Sequence, residues 1–104
     1  MERTIKPENF KNIIDSAMVL DVRRKADRET STDVVPGSSW KDPEQIDQWV
    51  GTLPKDQDVV IYCVRGGGVS NSVVDRLQAE GVQARFIEGG IEAYKAAGGK
   101  VAPK

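Results

Sequence analysis

An α/β domain on a parallel sheet, with helices on both faces, is the fold class that the sequence predicts. Two observations carry it. Continuous apolar runs at 17–22 and 58–63 suit strands buried on both sides. Between the runs lie segments with apolar residues at helical spacing, joined by short connections, so strand and helix alternate along the chain. The 104 residues amount to a single domain over 1–104, with its core at about 3–99 and room for one site.

In chain order, a short strand is expected at Arg3-Thr4-Ile5 and a helix over 7–16, where Phe10, Ile13 and Ile14 share a face and Pro7 suits the first turn. Ala17-Met18-Val19-Leu20-Asp21-Val22 is the first buried strand. Residues 23–39 read as a loop, charged in its first half and closed by Pro36-Gly37-Ser38-Ser39, with one short strand at Val34-Val35. Over 42–53, Ile46, Trp49, Val50 and Leu53 form one helical stripe, with Asp42 as N-cap and Pro43 just inside. Asp58-Val59-Val60-Ile61-Tyr62-Cys63, rich in β-branched residues, is the second buried strand. A helix over 70–80 turns Val73, Val74 and Leu77 inward and stops at Gly81. A third strand follows over 82–87, then a helix over 90–97 with Ile91 and Tyr94 inward and Gly98-Gly99 as its stop. Residues 100–104 read as a frayed tail.

Composition removes whole classes of chemistry. The 15 basic and 16 acidic residues leave a net charge of -1, which argues against non-specific nucleic-acid binding. The chain has no histidine, so Ser/His/Asp and Cys/His pairs and every His-containing zinc set are absent. Cys63 is the only cysteine, which excludes an internal disulfide, a CxxC pair and a multi-cysteine metal site. Residues 1–10 carry Glu2, Arg3, Lys6 and Glu8 without an apolar run, unlike a signal peptide, and no segment approaches the roughly 20 apolar residues of a membrane span. The expectation is a cytoplasmic protein with neither a membrane nor a nucleic-acid partner.

Ile61-Tyr62-Cys63-Val64-Arg65-Gly66-Gly67-Gly68-Val69-Ser70 places a cysteine where a buried strand ends, before a glycine-rich turn and a helix. Sites in open parallel sheets form at the carboxyl edge of the strands. Three glycines let several N–H groups converge on one point, and the helix N-terminus adds to that cradle, which suits a negative sulfur. The bland alternative is a small buried thiol beside a tight turn. The conjunction of strand, cysteine, glycines and helix start favours a reactive role. A dinucleotide fingerprint needs glycine where Asn71 stands, and a P-loop needs Gly-Lys-Ser/Thr where the chain has Gly68-Val69-Ser70, so both fail.

Val19-Leu20-Asp21-Val22-Arg23, Val35-Pro36-Gly37-Ser38, Val60-Ile61-Tyr62-Cys63 and Phe86-Ile87-Glu88-Gly89-Gly90-Ile91, followed by Tyr94, stand in an order that resembles a single-domain rhodanese, a thiosulfate sulfurtransferase-type module, over about residues 3–99. The resemblance implies a rhodanese-like three-layer domain with a five-stranded, mainly parallel sheet flanked by helices. It implies that Cys63 is the nucleophile, taking up a sulfane sulfur as a persulfide, and that Val64, Arg65, Gly66, Gly67, Gly68 and Val69 form the substrate-binding loop. Arg65 is then the candidate for contact with thiosulfate oxygens, with a solvated surface arginine as its alternative. Asp21 and Arg23 match the family's Asp-x-Arg, a supporting pair in the scaffold. Ser70 stands one place late for the loop serine, Gly68 replaces the loop arginine, and the segment before Pro36 lacks its usual histidine. Trp40 and Trp49 read as core or cover, although Trp40, in the irregular loop, can also line the pocket mouth.

The implied activity is transfer of sulfane sulfur from a small sulfur-containing anion to a thiol, cyanide or protein acceptor, without metal or organic cofactor. Two alternatives stay open. One is a rhodanese-like binding or regulatory module. The other is a phosphatase or arsenate reductase on the same loop, which Val69 disfavours because it stands where those enzymes carry an oxyanion-clamping arginine.

Overall fold

The structure, a computed structural model, describes residues 2–103. Its strands are Thr4–Ile5 (β1), Met18–Asp21 (β2), Asp33–Val34 (β3), Ser39–Trp40 (β4), Val59–Tyr62 (β5), Ala84–Ile87 (β6) and Ala102–Pro103 (β7). Its helices are Pro7–Ile13 (α1), Lys25–Thr30 (α2), Ile46–Trp49 (α3), Gly68–Ala79 (α4) and Gly90–Ala96 (α5). Five strands form one sheet in the order β1-β6-β5-β2-β4, with every neighbouring pair parallel. The α/β architecture expected from the alternation is the one observed.

β5 is central because its side chains are apolar on both faces. Ile61 lies beside Leu20 and Phe86 in register, and Val60 beside Val19 and Arg85. Successive strand residues point to opposite sides. Val59 and Ile61 therefore join Leu20, Phe86, Trp49, Val73, Val74 and Leu77 in the core beneath α3 and α4. Val60 and Tyr62 join Val19, Ile87, Phe10, Ile91 and Tyr94 beneath α1 and α5. Each buried apolar side chain contributes roughly 1.5–3 kcal/mol on leaving water. Double-sided burial thus anchors the strand that presents Cys63.

Four expectations are corrected. The 42–53 helix is only partly α-helical: 3-10 turns at Pro43–Gln45 and Val50–Thr52 flank the single α turn of α3. Val50 and Leu53, at the second of these 3-10 turns, are spaced by three, which suits the tighter winding. Asp42 does cap the start, accepting from Glu44 N–H at 3.0 Å. The 23–39 loop contains α2 as well as β3 and β4; α2 buries no residue, so its charged sequence gives no periodic signal.

The 70–80 helix starts at Gly68, because the Gly67 carbonyl already accepts from Asn71 N–H at 3.1 Å. Gly68 and Val69, expected in the loop, are its first turn. Finally, the 100–104 tail is not frayed over its described part. Ala102 pairs with Val34 and Pro103 with Asp33 in antiparallel β7–β3, and Tyr94 Oη donates to the Lys100 carbonyl at 2.6 Å. Val101 packs on the core, and Lys104 lies outside the described residues. No helix among the described residues is long and apolar enough to cross a membrane.

Candidate active site

Cys63 follows the last residue of β5 and so stands at the carboxyl edge of the central strand. It is a free thiol, 7% exposed. The backbone behind it is held by α5: Ile91 N–H donates to the Cys63 carbonyl at 3.0 Å and Glu92 N–H to the Val64 carbonyl at 3.2 Å.

This approach is so close that glycine is required on both sides. Gly90 has φ +65°, and a Cβ there would meet the Cys63 and Val64 carbonyl oxygens at 2.5 Å. Gly66 has φ +69°, and its Cβ would meet Gly89 N at 2.9 Å and Ile87 O at 3.1 Å. Left-handed backbone and absent side chains let the two turns pack main chain to main chain. The first loop carbonyls thus face α5. The N–H groups of Val64, Arg65, Gly66 and Gly67 donate to no protein acceptor among the described residues.

A cavity of about 450 Å³ opens over the thiol, lined by Arg24, Asp27, Cys63, Val64, Arg65, Gly67, Gly68 and Val69. It gathers the expected loop residues except Gly66, which backs the loop against Gly89. Ser70, expected as a supporting residue, is fully buried in the first turns of α4, and its Oγ has no hydrogen-bond partner among the described residues. A cavity of about 710 Å³ at the β1 edge is larger, but no thiol lines it.

Asp21 and Arg23 do not line the Cys63 cavity. They are 1% and 2% exposed, paired with Nη2–Oδ2 at 2.8 Å and Nε–Oδ1 at 3.0 Å. Arg23 also donates to the Asp33 carbonyl at 3.1 Å and lies over the Tyr62 ring. Burial by itself would lower the Arg23 pKa, but hydrogen bonding and charge from Asp21 outweigh it and raise the value. Trp40 covers this corner, its Nε1 donating to the Arg23 carbonyl at 2.9 Å, while Trp49 is core.

Sequence reasoning missed Arg24 and Asp27 as cavity residues. Both sit in a charged stretch whose only distinguishing signal is adjacency to the Asp-x-Arg pair. The grip of Gly89-Gly90 on the cysteine loop was visible only as a second glycine turn at a strand end.

Comparison with known proteins matches residues 6–97 to the family described as Rhodanese-like domain. The chain belongs to this family. A tRNA sulfurtransferase of Desulfurococcus amylolyticus is 30% identical over 89 residues, covering 86% of this rhodanese-like chain and 17% of that protein. An adenylyltransferase and sulfurtransferase of Yarrowia lipolytica is 31% identical over 98 residues, covering 89% of this chain and 24% of the relative. The chain therefore spans only a quarter or less of the length of these two curated relatives.

Among solved structures, a rhodanese-related protein from Thermoplasma volcanium superposes with a TM-score of 0.85 at 23% identity, covering 97% of this chain and 98% of that one. A thiosulfate sulfurtransferase from Pseudomonas aeruginosa gives 0.80 at 24% identity, covering 98% of this chain and 19% of the other. These two likenesses establish the fold.

Proposed function

We propose that this rhodanese-like domain is a sulfurtransferase in which Cys63 carries the sulfur. The observation that supports the reading best is the thiol at the end of β5, on the wall of an open cavity, followed by four loop N–H groups with no protein acceptor among the described residues. Anions are favoured by such donors and by the N-terminal end of a long helix, here the twelve residues of α4.

In the first step the Cys63 thiolate attacks the outer sulfur of thiosulfate or a related sulfane donor. A new S–S bond forms, the donor's S–S bond breaks, and sulfite, or a thiolate when the donor is a polysulfide or persulfide, leaves with the bonding pair. In the second step cyanide, a small thiolate or a protein thiolate attacks the terminal sulfur of the persulfide and regenerates the Cys63 thiolate. No net oxidation occurs, and no metal or organic cofactor enters. Because the nucleophile reacts as the anion, the lack of histidine is no obstacle. The cradle acts electrostatically, holding the persulfide and the departing anion. Polysulfides and persulfides are further donors, since Gly68 supplies no side-chain cation to the loop. Val69, at the place of the phosphatase clamp, lines the cavity with an apolar side chain that also packs onto the core.

The test is intact-protein mass after thiosulfate and then after cyanide, on wild type and Cys63→Ser. Wild type should gain one sulfur atom that cyanide removes, and Cys63→Ser should gain none. Absence of the gain with both thiosulfate and polysulfide overturns the proposal.

A further inference from the structure

Arg23 and Arg24 leave β2 side by side, but only Arg24 reaches the Cys63 cavity. Its carbonyl accepts from Arg28 N–H at 3.0 Å to start α2, while its side chain is exposed and makes no hydrogen bond or ion pair among the described residues. Arg65, on the loop, is likewise exposed and unpaired among them. A second cavity of about 440 Å³ adjoins the first and shares Arg24, Gly68 and Val69 with it, so Arg24 stands where the two meet. A guanidinium without a protein partner there offers its donors to an oxyanion, whose planar oxygen edge it matches.

We propose that Arg24 is a specificity-determining residue of the Cys63 site. It supplies from the N-cap of α2 the positive charge that Gly68 does not supply from the loop. With Arg65 it favours a small dianionic donor, with its sulfonate end on the guanidinium groups and its outer sulfur toward Cys63. Asp27 on the same wall and Glu44 in the adjoining cavity oppose anions at the rim. Selection therefore rests on the two arginines rather than on a generally positive surface. The inference rests on the reading of Cys63 as the reacting group, and its test does not require sulfur transfer.

The experiment compares the rates at which iodoacetate and iodoacetamide alkylate Cys63 in wild type, Arg24→Ala, Arg24→Lys and Arg65→Ala. The two reagents differ in charge while attacking the same thiolate. Removing one unit charge from the wall should lower the iodoacetate-to-iodoacetamide rate ratio about fivefold in Arg24→Ala, a ratio in which any change in the thiolate fraction of Cys63 cancels because both reagents attack the same anion. Arg24→Lys should recover most of the ratio. The rate of persulfide formation from thiosulfate should fall in parallel, relative to the rate from a neutral organic trisulfide.

An unchanged alkylation ratio in Arg24→Ala overturns the role of Arg24 whatever the donor results, as does failure of both reagents to reach Cys63. A lowered ratio in a protein that forms no persulfide would retain the anion site and overturn the sulfurtransferase reading alone.

Discussion

Arg23 is 2% exposed and directs its Nε and Nη2 onto Asp21, whereas Arg24, one residue later, is exposed and pairs with no side chain among the described residues. Arg23 packs over Tyr62 and ties β3 to the end of β2 through the Asp33 carbonyl. Arg24 faces the cavity that holds Cys63. Neighbouring arginines thus divide between holding the scaffold and meeting a ligand. Pairing and burial separate the two roles, since a buried guanidinium requires its carboxylate and an exposed one retains its donors for solutes.

The largest break in this contrast should come from Asp21→Asn, which leaves the Arg23 charge buried without its counter-charge. A loss of about 3–5 kcal/mol is expected, read as a lowered urea midpoint at unchanged slope. Gly90→Ala comes next. Its Cβ cannot fit against the Cys63 and Val64 carbonyls, and the left-handed backbone adds strain, so about 2 kcal/mol should be lost. The displaced loop should also slow iodoacetamide alkylation of Cys63 by roughly tenfold, since small misplacements at a reacting group are costly. A fold-only role for Gly90 would leave that rate unchanged.

Tyr62→Phe tests the apolar neighbour of Arg23. The Tyr62 hydroxyl accepts from Val35 N–H at 3.2 Å and shares a hydrogen bond with Ser38 Oγ at 2.9 Å, so its removal should cost about 1–2 kcal/mol. Burial, followed by the charge of Asp21, raises the Tyr62 pKa above its usual value of about 10. The unfolded chain then loses the phenolic proton before the folded one does. This contribution is fully present below about pH 10 and is lost as the pH rises further. Urea unfolding at about pH 8 and pH 11 should show a decline in wild type and a smaller one in Tyr62→Phe. Tyr94, also raised by burial, accounts for part of the remainder. The smallest effect on stability belongs to Arg24→Ala, within about 0.5 kcal/mol of wild type in the same measurement. A larger loss would mean that Arg24 belongs to the scaffold after all.

The strands around Cys63 were legible in the sequence because β5 and β2 are apolar on both faces, a pattern that few other structures satisfy. The helices α1, α4 and α5 were legible because their apolar residues recur at helical spacing on one inward stripe. α2 was not, since it buries nothing, and β7 was not, since its two residues form a strand only by pairing with β3. At the site, Cys63 and its loop stand in one contiguous stretch and could be read directly. Arg24 and Asp27 reach the cavity from a separate segment, and their letters alone match any solvated charge run.

Local pattern was therefore enough for the α/β class, the order of the elements and the placing of a single thiol at a strand end before a glycine turn. Those features depend on neighbours in sequence and on which faces must leave water. Tertiary structure decided which arginine is locked and which is open, and where Val69 and Ser70 go. It also decided that α5 holds the Cys63 and Val64 carbonyls. Each of these outcomes depends on groups far apart in the chain meeting at hydrogen-bond distance, and that meeting follows from sheet order and packing rather than from local periodicity.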